Sequence, residues 1–435
     1  MTLQRSRPAR TRRARTARSF RTAALGPVAG LVLTLLAPMP AWASACALDG
    51  LGTGEQPWEV ATAADLALVG QGDCGTGDSY LQTADITLTE DWTPIATFSG
   101  TFDGDGNSIT GLTINLPSTT PVGMFTNPSG TIQDVHLIDV SVTGDGQVGG
   151  LVATNSGTIA RSSVTGTVTG SNAVGGLAGT NSGTIERSSS SATVTSVAAA
   201  TSQFGGLVGL NSGTIRYSFA TGDVTATGGN SGKTGGLVGH NLTGGEVLDS
   251  YARGEVSNEG KDNSRANPGR VGGLIGYGQG GSVTRSFASG GVTDLSDQLE
   301  VAPSDAPDPG GLVGELKSEG MSVSESVWDT TTSGVAEPGP GDGLATSAMT
   351  SIATYLDRSW AIEATCDGGG FDPPTAVWGI CPTINDGYPY LRWSVTASST
   401  SSSSTDATAA PSTPVRVAGA LPSLPAGDAT RNRGG

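Results

Sequence analysis

Among side chains able to move a proton, attack a carbon or hold a metal, this sequence offers two histidines, four cysteines and 39 carboxylates. His136 and His240 lie far apart, and neither sits in an HExxH pattern. That pattern places two imidazoles one helical turn apart on zinc, so a protease of that type is excluded. Serine is abundant, but no nucleophile motif accompanies either histidine. A polysaccharide-cleaving site on stacked strands would need carboxylates gathered on one exposed face. Asp223, Glu255, Asp294, Asp249 and Asp329 are the candidates. They do not recur at one repeat position, and they are read as solvated surface. Asp103-Gly104-Asp105-Gly106-Asn107 has the start of a calcium loop, but Ser108 replaces the turn glycine and Ile114 the bidentate glutamate, so a structural turn is expected. No catalytic, cofactor or metal residue is assigned.

Cys46, Cys74, Cys366 and Cys381 lie in pairs toward the two ends of the chain. Disulfides are the expectation in oxidising surroundings. The simplest pairing is Cys46 with Cys74 and Cys366 with Cys381, although the sequence leaves three connectivities open. Ala43-Ser44-Ala45-Cys46 is also a poor lipobox, and lipidation of Cys46 would leave Cys74 without a partner.

The elements that carry these residues repeat. A glycine pair with an apolar tail occurs at Gly149-Gly150-Leu151, Gly175-Gly176-Leu177, Gly205-Gly206-Leu207, Gly235-Gly236-Leu237, Gly272-Gly273-Leu274 and Gly310-Gly311-Leu312. Val122-Gly123-Met124-Phe125 is a degenerate first copy. An NSGTI turn follows at 155, 181 and 211, and then a recurring serine: Ser162, Ser188, Ser218, Ser250, Ser286 and Ser326. Glycine supplies the positive φ of a sharp corner, asparagine tolerates it, and the alternating Val, Ile and Leu that follow make strands with one buried face. One repeat cannot bury that face alone, so copies must stack at about 4.8 Å spacing. The expected fold is all-β, a parallel β-helix or β-solenoid, right-handed by the usual preference of parallel connections, with small capping segments at both ends.

From glycine pair to serine the distance is 13, 13, 13, 15, 14 and 16 residues, whereas from serine to the next pair it grows through 13, 17, 17, 22 and 24. Polar length is thus inserted in one arc, at 196–203, 227–233, 257–270 and 293–309. Solenoids present recognition loops in this way, although loop length also drifts where no core constrains it. The residue before each serine reads Arg161, Arg187, Tyr217, Asp249, Arg285 and Glu325. Stacking would bring these into a column, where aromatic and guanidinium groups could meet a glycan or opposite charges simply pair; pairing is the expectation, each exposed pair worth ~0.2–1 kcal/mol.

The first 45 residues hold eight arginines and no acid, then a short apolar run from Leu25 to Ala37 stopped by Pro38. That is the pattern of a signal peptide cleaved before Cys46, and no later segment could cross a membrane. Arg12-Arg13 allows a twin-arginine route, against which stands Arg15. Without this leader the chain has 15 basic and 39 acidic residues. Such a field repels nucleic acid and anionic lipid. The remainder divides into an N-terminal cap with first coils at 46–119, repeats at 120–330, a C-terminal cap at 331–393 and a Ser/Thr/Ala/Pro-rich tail at 394–435. Short helices are expected near Ala63 to Val69 and Ala348 to Leu356. Trp378, Tyr388, Tyr390 and Trp393 are expected to pack the cap rather than form a sugar platform. LPAGD at 424–428 lacks the apolar segment of a sortase signal.

Copies such as GGLVGLNSGTIRYSFATGDV at 205–224 resemble the GLUG motif of bacterial surface and secreted proteins. PWEVATAADLALV at 57–69, TADITLTEDWTPI at 83–95 and FSGTFDGDGNSITGLTI at 98–114 resemble the lead-in of such proteins. VWDTTTSG at 327–334, TSAMTSIATYL at 346–356 and NDGYPYLRW at 385–393 resemble their exit. Adhesin-like proteins and the stalks of immunoglobulin A-cleaving metallopeptidases share this resemblance, but nothing here matches the peptidase part. The sequence therefore reads as a secreted or surface-associated, non-catalytic, adhesin-like module for extracellular glycan or protein. The alternative is a β-helix polysaccharide lyase or glycoside hydrolase.

Overall fold

A computed structural model describes residues 46–196, 202–227, 232–259, 270–295, 309–317, 320–336, 339–368 and 376–395. The leader, the tail from 396 onward and most of the four inserted arcs lie outside the described residues.

The body is a parallel β-solenoid. One coil shows the pattern: Gln203–Gly205 joins a five-stranded sheet, Val208–Asn211 an eight-stranded sheet and Thr214–Arg216 a ten-stranded sheet. Phe219–Ala220 and Val224–Ala226 then join a fifteen-stranded sheet before the chain rises to the next coil. Every strand pairs in parallel with its counterpart one coil away. In the ten-stranded sheet Tyr80, Phe102, Ile132, Ile159, Ile185, Ile215, Val247, Val283 and Val323 stand in register. These are the inward positions of the period-two alternation, and fully burying each such side chain contributes about 1.5–3 kcal/mol.

The glycine pairs are required by backbone proximity. A Cβ on Gly205 would stand 2.1 Å from the Val208 carbonyl oxygen, and one on Gly206 would stand 2.2 Å from that of Gly236 in the next coil. The leucine that follows points inward, and Leu151, Leu177, Leu207, Leu237, Leu274 and Leu312 are all buried.

Two polar ladders run through the stack. Asn155 Nδ2 donates to Asn181 Oδ1, Asn181 to Asn211 and Asn211 to Asn241, each at 2.8 Å. The backbone N–H of each corner serine donates to the hydroxyl of the serine one coil on, from Ser162 through Ser188, Ser218, Ser250 and Ser286 to Ser326. Each of these hydroxyls in turn donates to the carbonyl two residues before it. Buried polar atoms satisfied in this way fix the register of the coils.

At the N-terminal end, helix α1 (Ala63–Leu66) carries a Thr62–Asp65 capping box and buries Leu66. A disulfide joins Cys46 to Cys74, and a second joins Cys366 to Cys381. After the last coil comes α2 (Thr330–Ser333), and then Asp342–Leu344 adds a strand to Val327–Asp329. The expected C-terminal helix is two shorter ones, α3 (Thr346–Met349) and α4 (Ile352–Leu356). A three-stranded sheet of Ile362–Ala364, Trp378–Ile380 and Tyr390–Leu391 completes the segment. Among the described residues no helix is long and apolar enough to cross a membrane.

Candidate binding surface

The residues singled out as chemically capable do not converge. His136 Nδ1 lies 2.8 Å from Ser163 Oγ, and burial lowers its pKa. His240 lies on a different sheet. Asp249 and Asp329, expected on solvated surface, are 3% and 0% exposed. Asp249 takes both nitrogens of the Arg285 fork at 2.9 and 2.8 Å. Asp329 caps α2 through the N–H groups of Thr331 and Thr332 and accepts the Tyr388 hydroxyl at 2.6 Å. Both carboxylates therefore hold structure. Asp223 and Glu255 are exposed on successive coils, the Glu255 N–H donating to Asp223 Oδ1 at 2.9 Å. Asp294 accepts from Asn258 Nδ2. Asp103 to Asn107 form a turn, in which Asp103 Oδ1 accepts the Asp105 N–H and Asp103 Oδ2 accepts Gln133 Nε2. Among the described residues no group of three His, Cys, Asp or Glu is placed to hold a metal.

The column before the serine ladder does stack. Arg161, Arg187, Tyr217, Asp249, Arg285 and Glu325 all adopt positive φ, between 45° and 53°. Arg161 forks onto Asp134, and Arg187 lies 5.3 Å from the Tyr217 ring centroid. From Tyr217 onward, however, the C-terminal segment lies against the column. Three indole N–H groups of the C-terminal segment reach it: Trp393 to the Tyr217 carbonyl at 2.8 Å, Trp378 to Asp249 Oδ1 at 3.1 Å and Trp360 to the Glu325 carbonyl at 2.8 Å. Beside the column, Phe219, Tyr251 and Phe287 stack at 4.8 and 4.9 Å, and Tyr388 continues the stack on Phe287. Arg253 lies 4.7 Å from the Tyr388 ring centroid and bonds to Asn385 and Asp386. The segment thus lies back along the flank as a clasp. Trp378, Tyr388 and the half-buried Trp393 pack against the solenoid, and Tyr390 is buried within the segment itself, its hydroxyl donating to the Thr365 and Asp367 carbonyls, so these aromatics form no open platform.

A different corner stays partly exposed. In the five-stranded sheet Gln203, Lys233 and Arg270 occupy successive rungs. In the adjoining eight-stranded sheet Leu210, His240, Tyr277 and Glu315 do the same. The two ladders meet around one ring, with Arg270 4.5 Å and Lys233 5.6 Å from the Tyr277 centroid and the His240 ring at 5.0 Å. Arg270 also forms an ion pair with Glu315, and His240 Nε2 lies 3.2 Å from Gln279 Oε1. Burial and the neighbouring Lys233 push the imidazole down to about 4, so it is neutral at pH 7. Burial and Arg270 lower the Lys233 ammonium. Cations, amides and an aromatic ring are the groups that bind polar, oriented ligands.

The GLUG motif matches residues 170–195, 200–225 and 230–257. These repeats are GLUG repeats. Halomucin of Haloquadratum walsbyi is 34% identical over 137 residues, which is 27% of this chain and 2% of halomucin. A candidate Gly-rich membrane protein of Evansella cellulosilytica is 30% identical over 147 residues, 33% of this chain and 13% of that protein. The chain therefore spans a small part of these relatives. A crystal structure of a candidate immunoglobulin A1 protease from Bacteroides ovatus superposes with a TM-score of 0.52 at 18% identity, covering 79% of this chain and 94% of that one. That likeness is one of fold.

Aligning the GLUG repeats on their glycine pairs would have exposed the cationic corner. Gln203, Lys233 and Arg270 each stand two residues before the pair, whereas Leu210, His240, Tyr277 and Glu315 each stand five after its first glycine. Counting by serine instead assigned the first set to inserted arcs of varying length, where register is lost.

Proposed function

We propose that this GLUG-repeat solenoid is an exported, surface-exposed module that binds extracellular glycan or protein and carries out no covalent chemistry of its own. The observation that carries the reading is the corner around Tyr277. Polar and cationic side chains project there from rigid strands, at the places where the inserted arcs rejoin the stack. Sites on rigid elements hold their geometry, and variable arcs beside them can alter specificity without disturbing the core. The arginine-rich leader and two disulfides support export, and a membrane protein among the relatives accords with a surface location. The buried roles of Asp249 and Asp329 remove two of the five carboxylates from any hydrolytic reading.

The test is a panel of bacterial, plant and animal polysaccharides and surface proteins, scoring retention and release of reducing or unsaturated ends on the same samples. Retention without product is expected. Product release would overturn the non-catalytic reading and direct substitution to Asp223 and Glu255.

A further inference from the structure

We infer that the corner formed by Gln203, Lys233, His240, Arg270, Tyr277 and Gln279 binds an anionic sugar chain, one bearing carboxylate or sulfate groups. The inference rests on the binding reading above and narrows its ligand.

Charge is the first argument. Beyond residue 45 the chain has 15 basic residues against 39 acidic ones, yet here two cations occupy adjacent rungs of one ladder. Like charges placed side by side on neighbouring strands destabilise a sheet. Arg270 is compensated by Glu315. Lys233, half-buried, lies 5.6 Å from the Tyr277 ring centroid and shares the field of a carboxylate, Glu315, whose ion pair is with Arg270. Two partly desolvated cations sharing one carboxylate are under-compensated, which is costly to the folded protein, and an incoming anion removes that cost. His240 is held neutral between them, so it serves as a hydrogen-bonding group and not as a third charge.

The surrounding chemistry selects the carrier of the anion. Gln203, Gln279, the imidazole and the phenol are groups suited to a hydroxyl-rich ligand. The corner offers a peptide backbone little strand edge: Gln203–Gly205 and Lys233–Gly235 are inner rungs, and Arg270–Gly272, the last strand of the sheet, is three residues long and bridged to Gly310 through Gly272. Nucleic acid would meet two cations against a strongly negative surround, too few to offset the repulsion. A polymer with charges at regular intervals can engage Lys233 and Arg270 from successive units.

The experiment uses the full chain, with immobilised polygalacturonate and dextran sulfate as the two anionic arms, dextran and pullulan as neutral controls, and poly-glutamate as the protein-like control. Binding to at least one anionic polysaccharide is expected, falling with salt, and the stronger arm identifies carboxylate or sulfate. Lys233→Gln, which copies Gln203 one coil earlier and so fits the ladder, should weaken it at least tenfold. Arg216→Gln removes the same charge from the ten-stranded face and should change binding less than twofold. Equal effects of the two variants would overturn the assignment of the site. Equal retention of poly-glutamate, or retention of neutral polymers without dependence on Lys233, would overturn the ligand class while leaving a binding module standing. Retention of no polysaccharide or protein in the wider panel would instead defeat the binding reading itself.

Discussion

Trp378 Nε1 donates to Asp249 Oδ1 at 3.1 Å, a bond between residues 129 positions apart. The same carboxylate receives the Arg285 fork from the following coil. One buried group thereby joins two coils and the clasp. Asp249→Ala would leave a guanidinium and an indole N–H without their acceptor and should cost about 3 kcal/mol. Urea unfolding measures this directly, and Asp249→Asn, which keeps an acceptor, should cost less.

The asparagine ladder predicts an order of effects. Asn181→Ala removes the acceptor of Asn155 Nδ2 and the donor to Asn211 Oδ1, both on buried side chains, whereas Asn155→Ala strands one buried side-chain atom, Asn181 Oδ1, together with the N–H of the half-buried Gly157. Each orphaned buried group costs about 1–3 kcal/mol. Thermal melts should place Asn181→Ala below Asn155→Ala, and equal losses would contradict a continuous ladder.

Thr234 stands in register with Phe204 and Val271, fully buried, and its hydroxyl has no hydrogen-bond partner among the described residues. Thr234→Val keeps the shape and removes the unsatisfied group, so it should stabilise the protein by about 1 kcal/mol. Denaturant midpoints of the two proteins provide the check.

His240 gives a pH signature of defined sign. Its ordinary pKa is 6.5, and burial lowers it to about 4 in the folded chain. Between those values the unfolded chain binds the proton and the folded chain does not, so stability falls as pH drops through the window and levels off below it. The loss should be about 2 kcal/mol after allowance for solvent screening. His240→Leu, matching Leu210 in the preceding coil, should remove that part of the slope. His136, also lowered by burial, leaves a residual slope of the same sign.

The second disulfide belongs to the clasp. Cys366 and Cys381 close a loop with a sequence separation of 15. Replacing both by serine should cost about 3 kcal/mol. That loss should appear first as proteolysis within 346–395, with the coils upstream of Tyr217 still protected. The corresponding change at Cys46 and Cys74 should expose the N-terminal end instead.

The architecture was legible because its causes are local and repeated. Gly205-Gly206-Leu207 shows the corner, Asn211 the ladder and Ser218 the next bend, each restated coil after coil. The clasp was not legible in the same way. Phe219, Tyr251 and Phe287 follow their serines as isolated aromatics, and their covering partners, Trp393, Trp378 and Tyr388, come more than 100 residues later. Nothing in a repeat period announces a contact made once. Asp249 and Asp329 were misread for a related reason: an acidic chain suggests that carboxylates are solvated, and only the arrival of Arg285, Trp378 and Tyr388 makes burial tolerable. Lys233 and Arg270 lay between these cases, visible in register yet hidden by the choice of where to start counting.

The clasp also decides how the molecule would carry force. The described chain ends at residue 395, two residues past Trp393, which is anchored to Tyr217 and not to the final coil. Tension on anything attached beyond that point enters the stack in its middle. It must then be shared along the flank through the anchors at Tyr217, Asp249 and Glu325, which lie on separate coils. A solenoid pulled from its last rung can unzip one rung at a time, whereas one gripped across several rungs is loaded in shear, and its free end stays slack while the grip holds.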